Sequence, residues 1–206
     1  MAKFPARPSL AFLASHNGTN MRAIVAACKS GVLRAQPLLV ISNNGDSGAL
    51  AWARDNKLAA HHISAKTEGS DAAADAAIAA ALAMAGADLV IMAGYMRKLG
   101  PETLGAFRGR VLNVHPALLP KHGGKGMYGR LVHEAVLKAG DTETGCTIHV
   151  VDGEYDHGPV VAQAKVAVEP GDTPETLATR VQGREQTLYP ETLKRIFSGE
   201  IDLDRL

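Results

Sequence analysis

Residues 110–115, Arg-Val-Leu-Asn-Val-His, form a short apolar run that Pro116 ends, and we predict a buried β-strand there. Proline has no N–H for a sheet ladder and keeps the residue before it extended, so the strand should stop at His115. Side chains alternate between the faces of a strand, so Asn113 and His115 project to the same side. An amide donor beside an imidazole suits chemistry on a carbonyl group. A buried pair satisfied by the backbone is an equally open interpretation of these two residues alone.

Upstream of this strand, short apolar runs alternate with helical patterns, which is typical of βαβ units and a parallel sheet. The predicted strands cover residues 10–14, 37–41, 60–63 and 89–92, and the predicted helices cover 20–29, 47–56 and 71–85. Ser70 is the expected N-cap of the Ala-rich third helix. The 89–92 strand is apolar throughout, as expected for a parallel strand covered on both faces.

Downstream of Pro116 the pattern changes. We predict a Gly-rich loop at 121–129, a helix at 131–138, strands at 147–151 and 160–168, and a final helix that runs with a break to Phe197. The last two strands are separated only by a short loop, which indicates an antiparallel pair. Asp172 or Thr173 should cap the final helix.

These elements predict a single α/β domain over residues 1–206, with residues 1–8 as a loose N-terminal extension. We expect a Rossmann-like fold, with a mostly parallel twisted sheet, helices on both faces and an antiparallel strand pair in the C-terminal part. A ligand site should lie at the carboxyl ends of the parallel strands.

Composition restricts the function classes. The net charge is +1, with 22 basic and 21 acidic residues, so no broad field attracts nucleic acid or a membrane surface. An anionic ligand must then be bound by a few residues or a helix terminus. Cys28 and Cys146 are too few for a disulfide framework, which favours a reducing cytosol. The start of the chain lacks a signal-peptide pattern and no apolar run reaches membrane-spanning length, so we expect a cytoplasmic protein.

A second motif, Ser15-His-Asn-Gly-Thr-Asn20, lies between the first predicted strand and the first predicted helix. A helix N-terminus offers free N–H groups and the positive end of a dipole to an anion. Gly18 would let the backbone approach a phosphate closely, and Thr19 could add a hydroxyl. Many turns of this kind bind nothing, so the motif alone is weak evidence for a phosphate site.

Several motifs in one order make the chain, from Ser9 to about Gly199, resemble the folate-dependent formyltransferases. They are residues 15–20, Ala93-Gly-Tyr-Met-Arg97, residues 113–120 (Asn-Val-His-Pro-Ala-Leu-Leu-Pro), Gly145-Cys-Thr-Ile-His149, Tyr155-Asp-His-Gly-Pro159 and Glu185 with Tyr189-Pro190. The resemblance implies transfer of the formyl group of 10-formyltetrahydrofolate to the amine of 5-phosphoribosylglycinamide, a step of purine synthesis. It implies direct transfer through a tetrahedral oxyanion intermediate, with no metal.

Within this resemblance the expected catalytic residues are Asn113, His115 and Asp156. Asn113 and a protonated His115 would donate hydrogen bonds to the oxyanion. Asp156 would pair with His115, raise the pKa of its imidazole and take the proton from the attacking amine. Thr147 and His149 share a face of their strand and are expected to support Asp156 or a catalytic water.

The resemblance also implies two binding regions. The ribonucleotide residues would be Gly18, Thr19, Asn20 and Glu185. The folate residues would be Met96, Arg97, Lys98, Leu99, Asn113, Asp152, Gly153, Glu154, Tyr155 and Asp156. Without the resemblance, Glu185 reads as a charge on a solvated helix face.

The chain departs from the common family pattern at several positions. His16 stands where a second glycine is common, His157 stands where a small residue is common, and the 121–129 loop is longer than usual. The family's arginine before the Ala-rich helix has no evident counterpart within residues 64–75, where Lys66 is the one basic residue. We hypothesise that Lys125 in the long loop contacts phosphate or covers the substrate.

Three alternative functions remain open for this sequence. Methionyl-tRNA formyltransferases carry an additional RNA-binding domain, which we do not expect here. Formyltetrahydrofolate hydrolases use the same residues on water and usually carry a regulatory domain. A non-enzymatic folate or nucleotide binder would be favoured if Asn113, His115 or Asp156 were missing, and all three are present. We expect small-molecule substrates, no nucleic-acid or membrane partner, either a monomer or a homodimer, and no metal site among the scattered residues His61, His62, His122 and His133.

Overall fold

A computed structural model describes residues 4–206 and contains one seven-stranded sheet with the strand order β3-β2-β1-β4-β5-β6-β7. The strands are β1 (Ser9–Leu13), β2 (Gln36–Ser42), β3 (Ala59–His62), β4 (Leu89–Met92), β5 (Val111–His115), β6 (Glu143–Val150) and β7 (Val160–Ala167). Strands β1 to β5 are parallel to one another. Strand β6 is antiparallel to both β5 and β7. The predicted fold class and the predicted antiparallel pair are therefore confirmed.

Helices lie on both faces of this sheet. They are α1 (Thr19–Lys29), α2 (Gly48–Asp55), α3 (Ala65–Glu68), α4 (Asp71–Met84), α5 (Pro101–Ala106), α6 (Arg130–Lys138) and α7 (Pro174–Phe197), and a 3-10 turn follows at Leu203–Arg205. The Ser70 side chain accepts a hydrogen bond from the backbone N–H of Ala73, so the predicted cap of α4 is confirmed. The short helices α3 and α5 were not predicted, because neither is long enough to show a hydrophobic period. None of the helices within residues 4–206 is long and apolar enough to cross a membrane.

Alternation along β1 divides the core between the two faces of the sheet. Leu10 and Phe12 pack in the cluster that includes α1, α2 and α7, whereas Ala11 and Leu13 pack in the cluster with α4. All four side chains are fully buried. Burial of apolar area on both faces, at about 25 cal/mol per Å², is the main force that holds the layers together.

The final helix does not have the predicted break. Thr173 forms a capping box at its start, and α7 continues through Pro190 to Phe197. Proline removes one backbone hydrogen bond, but the adjacent Tyr189 is fully buried and its hydroxyl donates to the carbonyl of Leu112 at 3.0 Å. Tertiary packing thus keeps the helix continuous where local propensity predicts an interruption.

The N-terminal residues reach the end of the same helix. The ring of Phe4 packs edge to face on Phe197, with 5.3 Å between ring centroids. The guanidinium of Arg110 lies 5.2 Å from the centroid of the Phe4 ring. Residues 1–3 of the predicted N-terminal extension lie outside the described residues.

Candidate active site

A cavity of about 1110 Å³ opens where β1, β4 and β5 end. This is the edge of an open α/β sheet at which ligands usually bind. The cavity brings together most of the predicted site residues, namely Gly18, Thr19, Met96, Arg97, Lys98, Leu99, Asn113, His115, His149, Asp152, Glu154, Tyr155, Asp156 and Glu185. Asn20, Thr147 and Gly153 do not line it. Pro116 ends β5 as predicted and directs the chain along the cavity wall.

His115 and Asp156 form a close pair at the centre of this cavity. The Nδ1 atom of His115 lies 3.3 Å from Oδ2 of Asp156, and His115 is only 3% exposed. On the other side of the ring, Nε2 donates to the backbone carbonyl of His122 at 2.8 Å. Both ring nitrogens therefore face acceptors, and only the doubly protonated imidazole donates to both of them.

The expected rise in the pKa of His115 is wrong in its net direction. Burial lowers the pKa of the imidazole below 6.5, and this effect exceeds the opposite effects of Asp156 and the His122 carbonyl. Removal from water disfavours the charged ring, and the charge of the single carboxylate of Asp156 is too small an effect to offset this. The sequence alone does not show how deeply His115 is buried.

Asp156 stays ionised although it is largely buried. Burial would raise its pKa, but the nearby His149, the charge of His115 and the N–H of Gly124 together hold the pKa below 3.8. The Gly124 N–H donates to Oδ2 at 3.0 Å, and His149 Nε2 lies 3.5 Å from Oδ1. The backbone of Asp156 is left-handed, with φ of 55°, which is uncommon for a residue other than glycine.

Asn113 is oriented by the neighbouring strand. The β5–β6 register places it opposite His149, and Asn113 Nδ2 lies 3.1 Å from His149 Nε2. His149 Nδ1 donates to the carbonyl of Val150 at 3.0 Å, which leaves Nε2 as the acceptor from the Asn113 amide. One N–H of that amide is thus engaged, and the second remains for a ligand oxygen.

Thr147 has different partners from those expected. Its hydroxyl donates to the carbonyl of Ala117 at 2.6 Å and accepts from the backbone N–H of Leu119 at 3.0 Å. Gln163 on β7 donates to the same hydroxyl at 2.9 Å. Thr147 therefore holds the turn that follows His115, and does not contact Asp156.

The turn at residues 15–20 leads directly into α1. Gly18 precedes α1 in a left-handed conformation, with φ of 60°, and no side chain caps the first turn of the helix. A Cβ atom at Gly18 would lie 3.0 Å from Cε of Met21 and 3.2 Å from Cβ of Ala49. The uncapped N–H groups of α1 begin beside Thr19, which lines the cavity together with His16.

Glu185 lies at the same end of the cavity and is not a solvated surface charge. It is 7% exposed, and Asn20 Nδ2 donates to its Oε2 at 2.8 Å. Burial raises the pKa of Glu185 to about 7, although the bond from Asn20 acts in the other direction. Asn20 Oδ1 is buried without a hydrogen-bond partner. Asn20 therefore supports Glu185 from behind, away from the cavity surface.

The two predicted folate segments contact each other across the cavity. The ammonium of Lys98 lies 5.7 Å from the centroid of the Tyr155 ring. On the other side, the backbone N–H of Met96 donates to the hydroxyl of Ser15 at 2.7 Å, and Ser15 donates to Asn43 Oδ1 at 2.6 Å. His157, one of the departures from the family pattern, is 70% exposed in its side chain and pairs with Asp152.

Three cavity residues have no individual role in the sequence analysis. Ser15 holds the Met96 segment, and Gln182 lies one turn before Glu185 on α7. His133 on α6 is 4% exposed and lines the cavity, and its Nδ1 has no hydrogen-bond partner. Its sequence neighbours carry no motif, so only the packing of α6 could have identified it. Within residues 4–206 no group of three or more His, Cys, Asp or Glu side chains is arranged to hold a metal ion.

Comparison with known proteins agrees with this geometry. Residues 9–193 match the model of the formyl transferase family, and the chain belongs to this family. It is 42% identical to the chloroplastic phosphoribosylglycinamide formyltransferase of Arabidopsis thaliana, over 96% of this chain and 68% of that one. Identity to the phosphoribosylglycinamide formyltransferase of Escherichia coli is 36%, over 95% and 90% of the two chains.

Solved structures give the same result. Glycinamide ribonucleotide transformylase 1 from Symbiobacterium toebii superposes with a TM-score of 0.88 at 36% identity, over 94% of this chain and 89% of that one. A formyltetrahydrofolate deformylase from Pseudomonas syringae superposes with a TM-score of 0.83 at 21% identity, over 94% and 62% of the chains. The second likeness shows the fold alone.

Proposed function

We infer that this protein transfers the formyl group of 10-formyltetrahydrofolate to the amine of 5-phosphoribosylglycinamide, a reaction of purine biosynthesis. The observation that carries this function is the convergence of Asn113, His115 and Asp156 at one point of a cavity whose far end holds Glu185 and the uncapped α1 N-terminus. Relatives that cover most of this chain bear the name of this activity. The reactants are small molecules, and we propose the cytoplasm as their compartment.

The reaction joins the amine nitrogen to the formyl carbon and breaks the bond from that carbon to N10 of the folate. The amine loses one proton and N10 gains one. Between these steps the formyl oxygen carries negative charge, and preorganised donors stabilise it. We assign the free N–H of Asn113 to this oxygen, because His149 fixes the orientation of the amide.

His115 is assigned as the second donor. Its two nitrogens point at Asp156 and at the His122 carbonyl, so one N–H must turn from a protein acceptor to the oxyanion as charge develops. The ionised Asp156 is the base that takes the amine proton, directly or through a water. The low pKa of Asp156 keeps its carboxylate ionised and free to take the proton, which the nitrogen releases readily only after attack.

The ribonucleotide is proposed to lie between α1 and α7. The N–H groups at Gly18 and Thr19 would bind its phosphate, and Glu185 would accept hydrogen bonds from the ribose hydroxyls. Lys125 lines the same cavity and is proposed to contact the phosphate. An unchanged Michaelis constant for the ribonucleotide in Lys125→Ala would contradict that contact.

The folate is proposed to lie between residues 96–99 and residues 152–156. Backbone N–H and C=O groups of these segments would read the donors and acceptors of the pterin ring. Tyr155 is half exposed, and its loop contains Gly153 in open space, so the loop is able to move toward a bound ring. Lys98 and Tyr155 mark the two sides of this opening.

The function is tested by following deformylation of a 10-formyl folate analogue by absorbance, with and without glycinamide ribonucleotide. We expect deformylation that requires the ribonucleotide and yields its formylated product. Equal rates without the ribonucleotide would identify a hydrolase instead. The ribonucleotide assignments of Gly18, Thr19, Asn20 and Glu185 would then be withdrawn.

A further inference from the structure

One short segment touches both members of the His115–Asp156 pair. We call residues 121–124 the strap. The backbone carbonyl of His122 accepts from His115 Nε2 at 2.8 Å, and the backbone N–H of Gly124 donates to Asp156 Oδ2 at 3.0 Å. The position of the strap therefore determines where the imidazole and the carboxylate lie relative to each other.

The strap has an uncommon backbone. His122 is left-handed, with φ of 56°, and Gly124 has φ of 97°. A Cβ atom at Gly123 would collide with Leu119 and would lie 3.4 Å from Cβ of Asp156. Conformations of this kind persist when surrounding contacts hold them, and they cluster at functional sites. Side-chain contacts that hold the strap are therefore of interest for catalysis.

A single carboxylate outside the cavity holds the strap. Asp141 lies in the turn between α6 and β6, and its Oδ2 is 2.7 Å from His122 Nε2. Its other oxygen, Oδ1, accepts from the ammonium of Lys121 at 2.6 Å. The Asp141 side chain is 14% exposed, and that of His122 is 12% exposed, so the contact between them is largely shielded from solvent.

We propose that Asp141 and His122 are positioning residues for formyl transfer, an inference that rests on the proposed function. Asp141 fixes the His122 side chain, the His122 carbonyl then fixes His115 Nε2, and Gly124 of the same strap fixes Asp156. Neither Asp141 nor His122 lines the cavity, so they act on the reaction through His115 and Asp156. Misplacement of a reacting group by about 1 Å can cost about a hundredfold in rate.

If Asp141 and His122 position the strap, changes at these residues should alter the pKa of His115. The titratable groups that face or act on its ring are Asp156, His122 on the strap, His149 on β6 and His133 on α6. The His122 carbonyl favours protonation of His115, because it accepts a hydrogen bond from the ring. If the strap moves away, this support is lost and the pKa of His115 should fall further.

The test compares Asp141→Ala with the matched control Glu143→Gln in ribonucleotide-dependent formyl transfer. Glu143 forms a 2.8 Å ion pair with Lys165 close to the same turn, but this pair has no contact with the strap. We expect Asp141→Ala to lower kcat by about tenfold to a hundredfold with KM for both substrates within about twofold, by the positioning argument above. Glu143→Gln should behave as wild type. Asp141→Glu, which keeps the carboxylate, should recover part of the loss.

A second variant and a spectroscopic measurement separate positioning from loss of folding. Glycine tolerates φ of 56°, so His122→Gly removes the anchored imidazole while it keeps the strap carbonyl. His122→Gly should lower kcat as Asp141→Ala does. The double variant should have a kcat only slightly lower than that of the more impaired single variant, because both changes remove the same contact. In both variants the ¹⁵N-detected titration of His115 should move to lower pH.

Two outcomes would overturn the inference. One is wild-type kcat and an unchanged His115 titration in Asp141→Ala. The other is a loss of kcat that disappears at low temperature, where a destabilised fold recovers. Wild-type protein that transfers no formyl group would instead contradict the proposed function, so the two failures are distinguishable.

Discussion

The two ends of the cavity differ in how fully their polar groups are paired. At the reacting end, both ring nitrogens of His115 lie beside protein oxygens, and Asp156 Oδ2 accepts from the N–H of Gly124. At the ribonucleotide end, no side chain caps the first turn of α1, so its N–H groups are left for a ligand. Protein contacts thus hold the His115–Asp156 pair in place, whereas the first N–H groups of α1 have no side-chain cap.

This difference follows the two tasks of the site. Charge that develops in a transition state is best stabilised by groups already held in place, because no reorganisation is then needed. Substrate binding can use groups that the folded protein leaves unpaired, although each such group costs about 1–3 kcal/mol until it is satisfied. Variants at the first end should therefore change turnover, whereas variants at the second should change binding or stability.

The largest expected effect is at Asn113. Asn113→Ala removes the amide that His149 orients toward the cavity, and kcat should fall by about 10²–10³, as when an oxyanion donor is lost. Steady-state kinetics at saturating folate and ribonucleotide would measure it. Asn56→Ala, at the end of α2, is the control and should keep wild-type kcat. A rise in KM with unchanged kcat in Asn113→Ala would contradict the view that the reacting end controls turnover and the other end controls binding.

Stability at the other end should depend on Glu185. A carboxyl whose pKa is 4.5 unfolded and about 7 folded favours folding while it is protonated, and this contribution is lost as pH rises from 4.5 through 7. Glu185→Gln removes this dependence. A tenfold change in proton affinity corresponds to about 1.4 kcal/mol. The unfolding free energy of Glu185→Gln, relative to that of wild type, should therefore rise by roughly 2–3 kcal/mol between pH 4.5 and pH 8. Urea unfolding at several pH values measures this. A constant difference across that range would contradict the burial argument.

Ribonucleotide binding should follow the same ionisation. The charged carboxylate accepts hydrogen bonds more strongly than the neutral acid, so KM for the ribonucleotide should fall by about tenfold as pH rises through 7. KM for the folate should not share this change, since Glu185 lies at the opposite end of the cavity. In Glu185→Gln the pH dependence should be absent. Equal pH dependence of both Michaelis constants would show that the two ends are not independent.

The smallest expected effect is at Gly18, where comparison with Gly86 distinguishes backbone strain from steric crowding. Gly86 has a similar left-handed φ of 66°, and a Cβ there would meet nothing within 4 Å. Gly86→Ala should therefore cost about 1 kcal/mol of unfolding free energy, from strain alone, with normal kinetics. Gly18→Ala should cost more, because of Met21 and Ala49, and should raise KM for the ribonucleotide. Denaturant titration and kinetics of the two variants side by side provide the measurement, and equal behaviour would argue against a close backbone approach at Gly18.

Much of the fold could be predicted because its signals are local. Apolar runs marked the strands, Ser70 marked the start of α4, and the short loop between β6 and β7 indicated their antiparallel pairing. The placement of Asn113 and His115 on one face of β5 follows from a period of two and from Pro116. These features depend on residues close in sequence, so their physical causes are visible without coordinates.

The remaining features depend on which distant segments pack together. The continuity of α7 through Pro190, the partners of Thr147 and the bond between Asn20 and Glu185 each join elements far apart along the chain. The pKa of His115 is the clearest case. Its carboxylate partner was evident from a motif, but the sign of the shift is decided by burial, which only the packed tertiary structure creates.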